Sequence, residues 1–95
     1  MRKEFDDFVA ELKGVRSVYN KSTHTFSRPD GTALCKSEIS PRSSIFMVIF
    51  PDFPTAIASE LPSCAEVDKS GQVRIRVISR SRLEVCKKIA LQRLG

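Results

Sequence analysis

Basic and apolar residues alternate in the segment Val73–Val77, and this alternation is the clearest sign of chemistry in the sequence. Successive side chains of a strand point to opposite faces of a sheet. The valines and the isoleucine therefore predict a buried face, whereas Arg74 and Arg76 predict a wet, positively charged one. Arginines on such a face could contact phosphates, or they could only protect an exposed sheet from aggregation. The sequence leaves both interpretations open.

Charge is distributed unevenly along the chain, whose formal net charge is +5. Residues 69–95 contain eight basic residues and one acidic residue, which gives this segment a net charge of +7. Residues 14–42 carry five basic and two acidic residues, whereas residues 43–68 carry four acidic residues and no lysine or arginine. Two basic regions that flank an acidic one indicate an anionic partner such as a nucleic acid.

Further cations are predicted at the turns and the rim of the same sheet. Together with Arg74 and Arg76, the residues expected to contact DNA are Arg16, Lys21, Arg28, Lys36, Arg42 and Lys69. Polar groups suited to phosphate or base contacts lie nearby, on Ser17, Asn20, Thr23, Thr25 and Ser27. Tyr19 and Phe26 could stack on bases if they were exposed, but both positions also suit packing into the core.

Catalytic chemistry finds little support in the sequence. His24 has no cysteine or serine partner at a recognisable spacing, so a surface histidine on a hairpin is expected. Asp30, Lys36 and Glu38 have the composition of a metal-dependent nuclease site. Such a site needs Glu-x-Lys, however, and the order here is Lys-x-Glu. We therefore predict that the domain is not an enzyme and needs neither a cofactor nor a metal.

Other potential metal ligands have simpler explanations. Asp6, Asp7 and Glu11 are expected on the solvent side of an N-terminal helix, opposite its apolar stripe. The three cysteines are odd in number and widely spaced, which predicts neither a disulfide framework nor a zinc site. Because no signal peptide and no apolar stretch of membrane-spanning length is seen, a reduced, cytoplasmic location is expected.

The apolar run after Ser44, which ends at Phe50, predicts a central strand with little water on either face. The other elements are judged by how they could cover or extend this strand. Before it we predict a helix at Arg2–Lys13 and strands at Val15–Asn20, Thr23–Arg28 and Thr32–Ile39. After it we predict a short helix from Pro51 to Leu61, strands at Cys64–Asp68 and Gln72–Ile78, and a helix at Arg82–Leu94 that Ser81 and Glu84 cap. The order αββββαββα predicts one α+β domain over residues 1–95.

The stretch from Ala58 to Leu94 also carries a resemblance to a known family. A short helix there leads to Ser63–Val67, a Lys-x-Gly turn at Lys69–Gly71, the basic strand and a closing helix. This succession resembles the C-terminal double-wing domain of phage transcription activators of the MotA type, and its order is also similar to that of MmcQ/YjbR-like domains. The resemblance implies a saddle-like antiparallel sheet of about six strands, with three helices on one face and DNA on the other.

The sequence therefore predicts a domain that binds double-stranded DNA, as a transcriptional or phage-type regulator. The alternative is a protein-interaction module that binds a host or viral protein through the acidic segment Asp52–Asp68 or through an open strand edge. The salt dependence of binding distinguishes the two functions, because phosphate contacts weaken steeply as salt concentration rises and an apolar protein interface does not.

Overall fold

Two helices and six strands make up the residues that the computed structural model describes, which are 2–39, 45–51, 64–67 and 69–94. The helices are α1 (Arg2–Ala10) and α2 (Arg80–Leu94). The strands are β1 (Arg16–Asn20), β2 (Thr23–Ser27), β3 (Ala33–Ile39), β4 (Phe46–Phe50), β5 (Ala65–Val67) and β6 (Val73–Val77). Arg42, one of the predicted DNA contacts, and residues 52–61 of the predicted middle helix lie outside the described ranges.

All six strands join one antiparallel sheet in the order β1-β2-β3-β4-β6-β5. The first four strands form the predicted meander, in which each strand pairs with the next. The β5–β6 hairpin then adds to this meander through β6, so that β1 and β5 are the two edges. The predicted α+β class with a single antiparallel sheet of six strands is confirmed.

Both helices pack on one side of the sheet, which we call the helix face. The register pairs Phe46 with Val77, Val48 with Ile75 and Phe50 with Val73, and all six side chains belong to one buried core. The helices contribute their own buried side chains to the same core, namely Phe5, Val9, Leu83, Cys86, Ile89 and Ala90. Burying one large apolar side chain contributes about 1.5–3 kcal/mol, so this core is the main source of stability.

The predicted central strand is β4, which lies between β3 and β6. Val48 and Phe50 are fully buried on the helix face. On the opposite side of the sheet, which we call the outer face, Ile49 is only 4% exposed. The prediction that this strand meets little water on either face is confirmed for these residues.

Helix α1 ends at Ala10, earlier than the predicted Lys13, and one prediction about its faces is wrong. Phe5 and Val9 are buried and Asp7 is exposed, as expected from the helical period. Asp6 was predicted to lie on the solvent side, but it is only 6% exposed. It lies one position after Phe5, about 100° around the helix, and this flank faces β2 and β3, where its carboxylate finds hydrogen-bond partners.

Gly14 lies just beyond α1 at a position that only glycine fits without strain. Its φ is +81°, and a Cβ atom there would stand 2.6 Å from Cγ of Pro29. We expect Gly14→Ala to lower the free energy of unfolding by about 2 kcal/mol, because a left-handed backbone and a close contact both act against the new methyl group. Urea unfolding of the purified variant measures this loss.

Gly31→Ala is the matched control for that change. Gly31 has a similar φ of +91°, but a Cβ atom there would meet nothing within 4 Å. The left-handed backbone alone should then lower the free energy of unfolding of Gly31→Ala, by about 1 kcal/mol. Equal losses in the two variants would show that Pro29 does not restrict position 14.

Helix α2 begins at Arg80, two residues before the predicted start, and its cap differs from the prediction. Ser79 is the N-cap residue, since its Oγ accepts a hydrogen bond from the Arg82 amide at 3.4 Å and its carbonyl accepts one from the Leu83 amide at 3.1 Å. Ser81 instead lies in the first turn, where its hydroxyl meets the Ser79 hydroxyl at 3.0 Å. The capping box at Ser81 and Glu84 is therefore wrong. Neither α1 nor α2 has the length and apolar character required to cross a membrane.

Candidate functional site

The outer face carries four of the cations predicted to contact DNA, three on the central strands and Arg16 on the edge strand β1. Strand register places Lys36, Ile49 and Arg74 side by side on β3, β4 and β6. Arg76 lies in the neighbouring row, next to Met47 of β4. Arg74 and Arg76 are exposed and Lys36 is half-buried. Two strand spacings separate Lys36 from Arg74, which puts their Cα atoms roughly 10 Å apart.

Two carboxylates share the outer face with these cations. Glu66 of β5 pairs with Arg74, and Glu38 of β3 lies beside Met47, two strands from Arg76. Arg76 also has a fixed backbone, since its carbonyl accepts a hydrogen bond from Nη1 of Arg82 at 3.2 Å. With Arg16, four cations against two acids leave the described part of this face with a positive excess.

Two hairpin turns, β1–β2 and β5–β6, extend the positive charge to opposite ends of the sheet. Lys21 lies in the two-residue turn between β1 and β2, where it is exposed and has a φ of +22°. Lys69 is exposed in the turn between β5 and β6. Arg16 is exposed at the start of β1. Because β1 and β5 are the edges of the sheet, these cations flank the central strands on both sides.

The guanidinium of Arg28, another predicted contact, is bound within the protein. Its Nε donates to the Arg93 carbonyl at 2.9 Å, and its Nη1 donates to the Ala33 carbonyl at 2.7 Å and to Oγ1 of Thr32 at 3.1 Å. Arg28 thus connects the β2–β3 turn to the C-terminal end of α2. Sequence patterns give no sign of a contact between residues 65 positions apart.

The nuclease-like residues do not come together. Asp30 lies in the turn before β3, where its carboxylate accepts hydrogen bonds from the amide and the hydroxyl of Thr32. These bonds hold the pKa of Asp30 below its ordinary value. Glu38 lies near the far end of β3, roughly 15–20 Å away at the usual rise of a strand. Among the described residues, no group of three His, Cys, Asp or Glu side chains could hold a metal ion.

A buried polar cluster that sequence reasoning missed lies on the helix face, around the Asp6 carboxylate. Oδ1 of Asp6 accepts a hydrogen bond from the Ser37 hydroxyl at 2.7 Å, and Oδ2 lies 2.5 Å from Nδ1 of His24. Nε of Arg2 stands 3.7 Å from the same carboxylate. The Arg2 guanidinium also donates to the carbonyls of Ser22 and Ser37, at 2.7 and 3.1 Å. The cluster joins α1 to β2 and β3.

His24 is therefore not the free surface histidine that was predicted. Its side chain is 22% exposed, with Asp6 on one side and the Tyr19 ring on the other. The Tyr19 and His24 rings meet edge to face, with centroids 4.6 Å apart. Phe26 is fully buried, as its core assignment predicts, whereas Tyr19 remains 56% exposed. Side chains alternate between the two faces along β2, which puts His24 on the same face of the sheet as Phe26. This alternation was the sequence signal that could have predicted the partial burial of His24.

The cluster contains the three residue types of a serine hydrolase but not its geometry. In such an enzyme the serine hydroxyl is bonded to the histidine, whereas Ser37 donates to Asp6 and is fully buried. Ser37 cannot reach a substrate from that position. The described residues thus supply no activated nucleophile at this cluster.

The Glu4 carboxylate holds the two helices together. It accepts hydrogen bonds from Nζ of Lys87 at 2.7 Å and from Nη2 of Arg80 at 2.9 Å. The Lys87 side chain is only 17% exposed, and its ammonium lies 5.5 Å from the centre of the Phe8 ring. The hydrogen bond from Lys87, and next that from Arg80, hold the pKa of Glu4 below its ordinary value.

Glu4→Gln should therefore reduce the loss of stability in acid. The pKa of Glu4 is lower in the folded state than in the unfolded state, where it lies near 4.5. Ionised Glu4 therefore stabilises the folded protein above about pH 4.5. This contribution to the free energy of unfolding is lost as pH falls through the folded-state pKa. Urea unfolding between pH 3 and 7 should show a shallower acid decline for Glu4→Gln than for the parent. Glu11→Gln, at an exposed position of the same segment, is the control. Identical pH profiles for all three proteins would contradict this role of Glu4.

Two of the cysteines are inert core residues. Cys35 and Cys86 are fully buried, and burial raises the pKa of both thiols, that of Cys86 to about 12. The thiolate is the reactive form of cysteine, so neither residue can act as a nucleophile in the folded protein. Cys64 is half-buried, and all three thiols are free.

No protein-family model, curated protein or solved structure matches this chain. Its function is therefore inferred from the placement of its side chains. The described candidates are the cations of the outer face and the hairpin turns, and the pocket beside the Asp6–His24 pair.

Proposed function

We propose that this chain is a double-stranded DNA-binding domain that uses the outer face of its sheet and its two hairpin turns, in the manner of a transcriptional or phage-type regulator. The observation that carries the proposal is the position of Arg74 and Arg76, both exposed on the face away from the helices. Lys36 adds to them two strands away. Among the described residues the helices cover the other face, which leaves the outer face as the surface for a partner.

Counterion release provides the driving force for this interaction. Each phosphate that a lysine or arginine neutralises releases condensed cations from the DNA. For each such contact, the logarithm of the binding constant falls by about 0.9 when the salt concentration rises tenfold. Besides Arg28, six of the predicted contacts lie in the described part of the chain: Arg16, Lys21, Lys36, Lys69, Arg74 and Arg76. If all six contact phosphates, a plot of the logarithm of the binding constant against the logarithm of the salt concentration should have a slope of about −5.

The detailed fold is part of the same proposal. A meander at one end of the sheet and a hairpin at the other place two basic turns on either side of the central strands, which supports a saddle-like, double-wing arrangement. The third helix of that arrangement was predicted at residues outside the described ranges. A curved sheet with cations at both ends would follow the backbone of a duplex more closely than a flat one.

A protein-interaction module remains the second candidate, and the edge strand β1 favours it. All five residues of β1 are exposed, including the large apolar side chains of Val18 and Tyr19, at 57% and 56%. An exposed edge of this kind can pair with a strand of another protein. Of the acidic segment that was predicted to bind such a partner, Glu66 is described and exposed.

Fluorescence anisotropy of a labelled duplex of random sequence, titrated with the protein across a salt series, tests the DNA proposal. A slope between about −4 and −6 would support contacts by the predicted cations. A single-stranded oligonucleotide of the same length is the control and should bind more weakly. Absence of duplex binding at low salt and micromolar protein would contradict the DNA proposal and favour protein binding through the β1 edge.

A further inference from the structure

A pocket of about 420 Å³ lies on the helix face, beside the Asp6–His24 pair. It is formed by the N-terminal end of α1 and the β1–β2 hairpin, and its lining residues are Arg2, Lys3, Asp6, Asp7, Tyr19 and His24. Small-molecule sites in proteins have volumes of roughly 300–1,000 Å³. The pocket therefore has room for a ligand the size of a nucleoside.

The Asp6 carboxylate fixes how His24 presents its ring to this pocket. An ionised carboxylate can only accept hydrogen bonds, so we assign the proton of the bond to Oδ2 to Nδ1 of His24. In the neutral imidazole, Nε2 is then an acceptor. Ser37 and Arg2 hold the carboxylate in turn, which makes His24 a preorganised acceptor.

The charges around the pocket cancel in pairs. Arg2 and Asp6 lie 3.7 Å apart, and Lys3 and Asp7 lie 3.9 Å apart at the more exposed rim. An anionic or cationic ligand therefore gains little from the lining as a whole. This balance favours a ligand without net charge.

Tyr19 supplies a flat, apolar surface next to the acceptor. Its ring is 56% exposed although Phe26, its other ring partner, is fully buried. Exposed aromatic rings stack well on planar heteroaromatic rings, and every nucleobase offers such a face. A ring with an N–H donor could stack on Tyr19 and donate to Nε2 of His24.

We propose that this pocket binds an uncharged heteroaromatic ring that bears an N–H donor, a nucleobase or nucleoside being the matching chemical class. Nε2 of His24 accepts the hydrogen bond, and Tyr19 stacks on the ring. The site lies on the opposite face from Lys36, Arg74 and Arg76, so it is separate from the duplex contacts on the central strands.

The chain offers two unique reporters for the test. Tyr19 is the single tyrosine, His24 is the single histidine, and tryptophan is absent. Tyrosine fluorescence and the ¹⁵N resonances of the histidine ring therefore report on this pocket alone. Titration with adenosine, guanosine and cytidine should quench the fluorescence and shift the Nε2 resonance saturably, with Kd on the order of 0.1–1 mM for ligands of this size.

His24→Asn is the decisive variant. The asparagine amide nitrogen can take the place of Nδ1 and keep the bond to Asp6, while Nε2 is lost. We expect nucleoside affinity to fall roughly tenfold, the effect of one hydrogen bond, with Arg76→Gln as a control that leaves it unchanged. Tyr19→Leu, at an exposed edge position, should abolish the Nε2 shift and provides a second test should His24→Asn not fold.

Three results would overturn the proposal: no saturable change at about 10 mM nucleoside, equal affinity in His24→Asn, or the same response to ribose or inorganic phosphate. Duplex anisotropy tests the proposed function separately. His24→Asn should leave the duplex affinity unchanged, so failure of the pocket and failure of the DNA interface give different results.

Discussion

Replacing Lys36, Arg74 and Arg76 together by glutamine is expected to weaken duplex binding roughly 500-fold at about 0.1 M salt. Each lost phosphate contact removes about 0.9 from the magnitude of the log–log salt slope, and the three losses add. The slope should therefore fall from about −5 to between −2 and −3. Glutamine is preferred to glutamate at position 74, because Glu66 lies directly opposite Arg74 and a second carboxylate there would destabilise the sheet.

A control with the same net charge separates a local interface from general attraction. Lys3, Lys13 and Lys88 are exposed cations outside the sheet. Their joint replacement by glutamine removes the same three charges as the first variant. We expect less than about a fivefold change in affinity, since screening beyond a Debye length of about 10 Å weakens distant charges. Equal losses in the two triple variants would show that the outer face has no special role.

Asp6→Ala is expected to produce the largest loss of stability, about 3–4 kcal/mol, with a fall in Tm of roughly 15 °C. The change leaves the Ser37 hydroxyl, which is fully buried, without its acceptor. It also leaves the Arg2 guanidinium, at 16% exposure, without its carboxylate. Removing one partner of a buried ionic pair costs more than the pair itself contributes.

Asp7→Ala, at the neighbouring position, is the matched control for that prediction. Asp7 is 62% exposed and its single ion pair among the described residues, with Lys3, spans 3.9 Å. Exposed pairs contribute little, so the change should stay within about 0.5 kcal/mol. Chemical denaturation of both variants measures the difference. Similar stabilities for the two would mean that the polar cluster does not hold α1 to the sheet.

The sheet could be predicted from the sequence because its strands are specified locally. Alternation in the β6 segment and the unbroken apolar run of β4 each determine which residues are buried, and turn residues separate the strands of the meander. The placement of β6 next to β4, with β5 outside, depends on tertiary packing. β6 has three buried apolar side chains, whereas Glu66 and Val67 of the short strand β5 are exposed, so the more apolar strand takes the inner place.

The polar cluster could not be predicted in the same way. Helical periodicity assigns Asp6 to the flank of α1, where burial depends on whether another element offers donors. That element is β3, whose Ser37 lies 31 positions away in the sequence. The internal contacts of Arg28 could not be predicted for the same reason, because its Nε donates to a carbonyl at the end of α2. Contacts between distant segments decide whether a charged side chain is a structural or a binding residue.

Titration of the ¹⁵N-labelled protein with a DNA duplex, followed by amide and arginine side-chain resonances, is the most direct test of DNA binding by the outer face. We expect shifts to concentrate on β3, β4 and β6, on the turns at Lys21 and Lys69, and on the Nε resonances of Arg74 and Arg76. Resonances of α1 and α2 should change little. Shifts confined to the helices, or absent at protein and duplex concentrations well above micromolar, would contradict binding of DNA by the outer face.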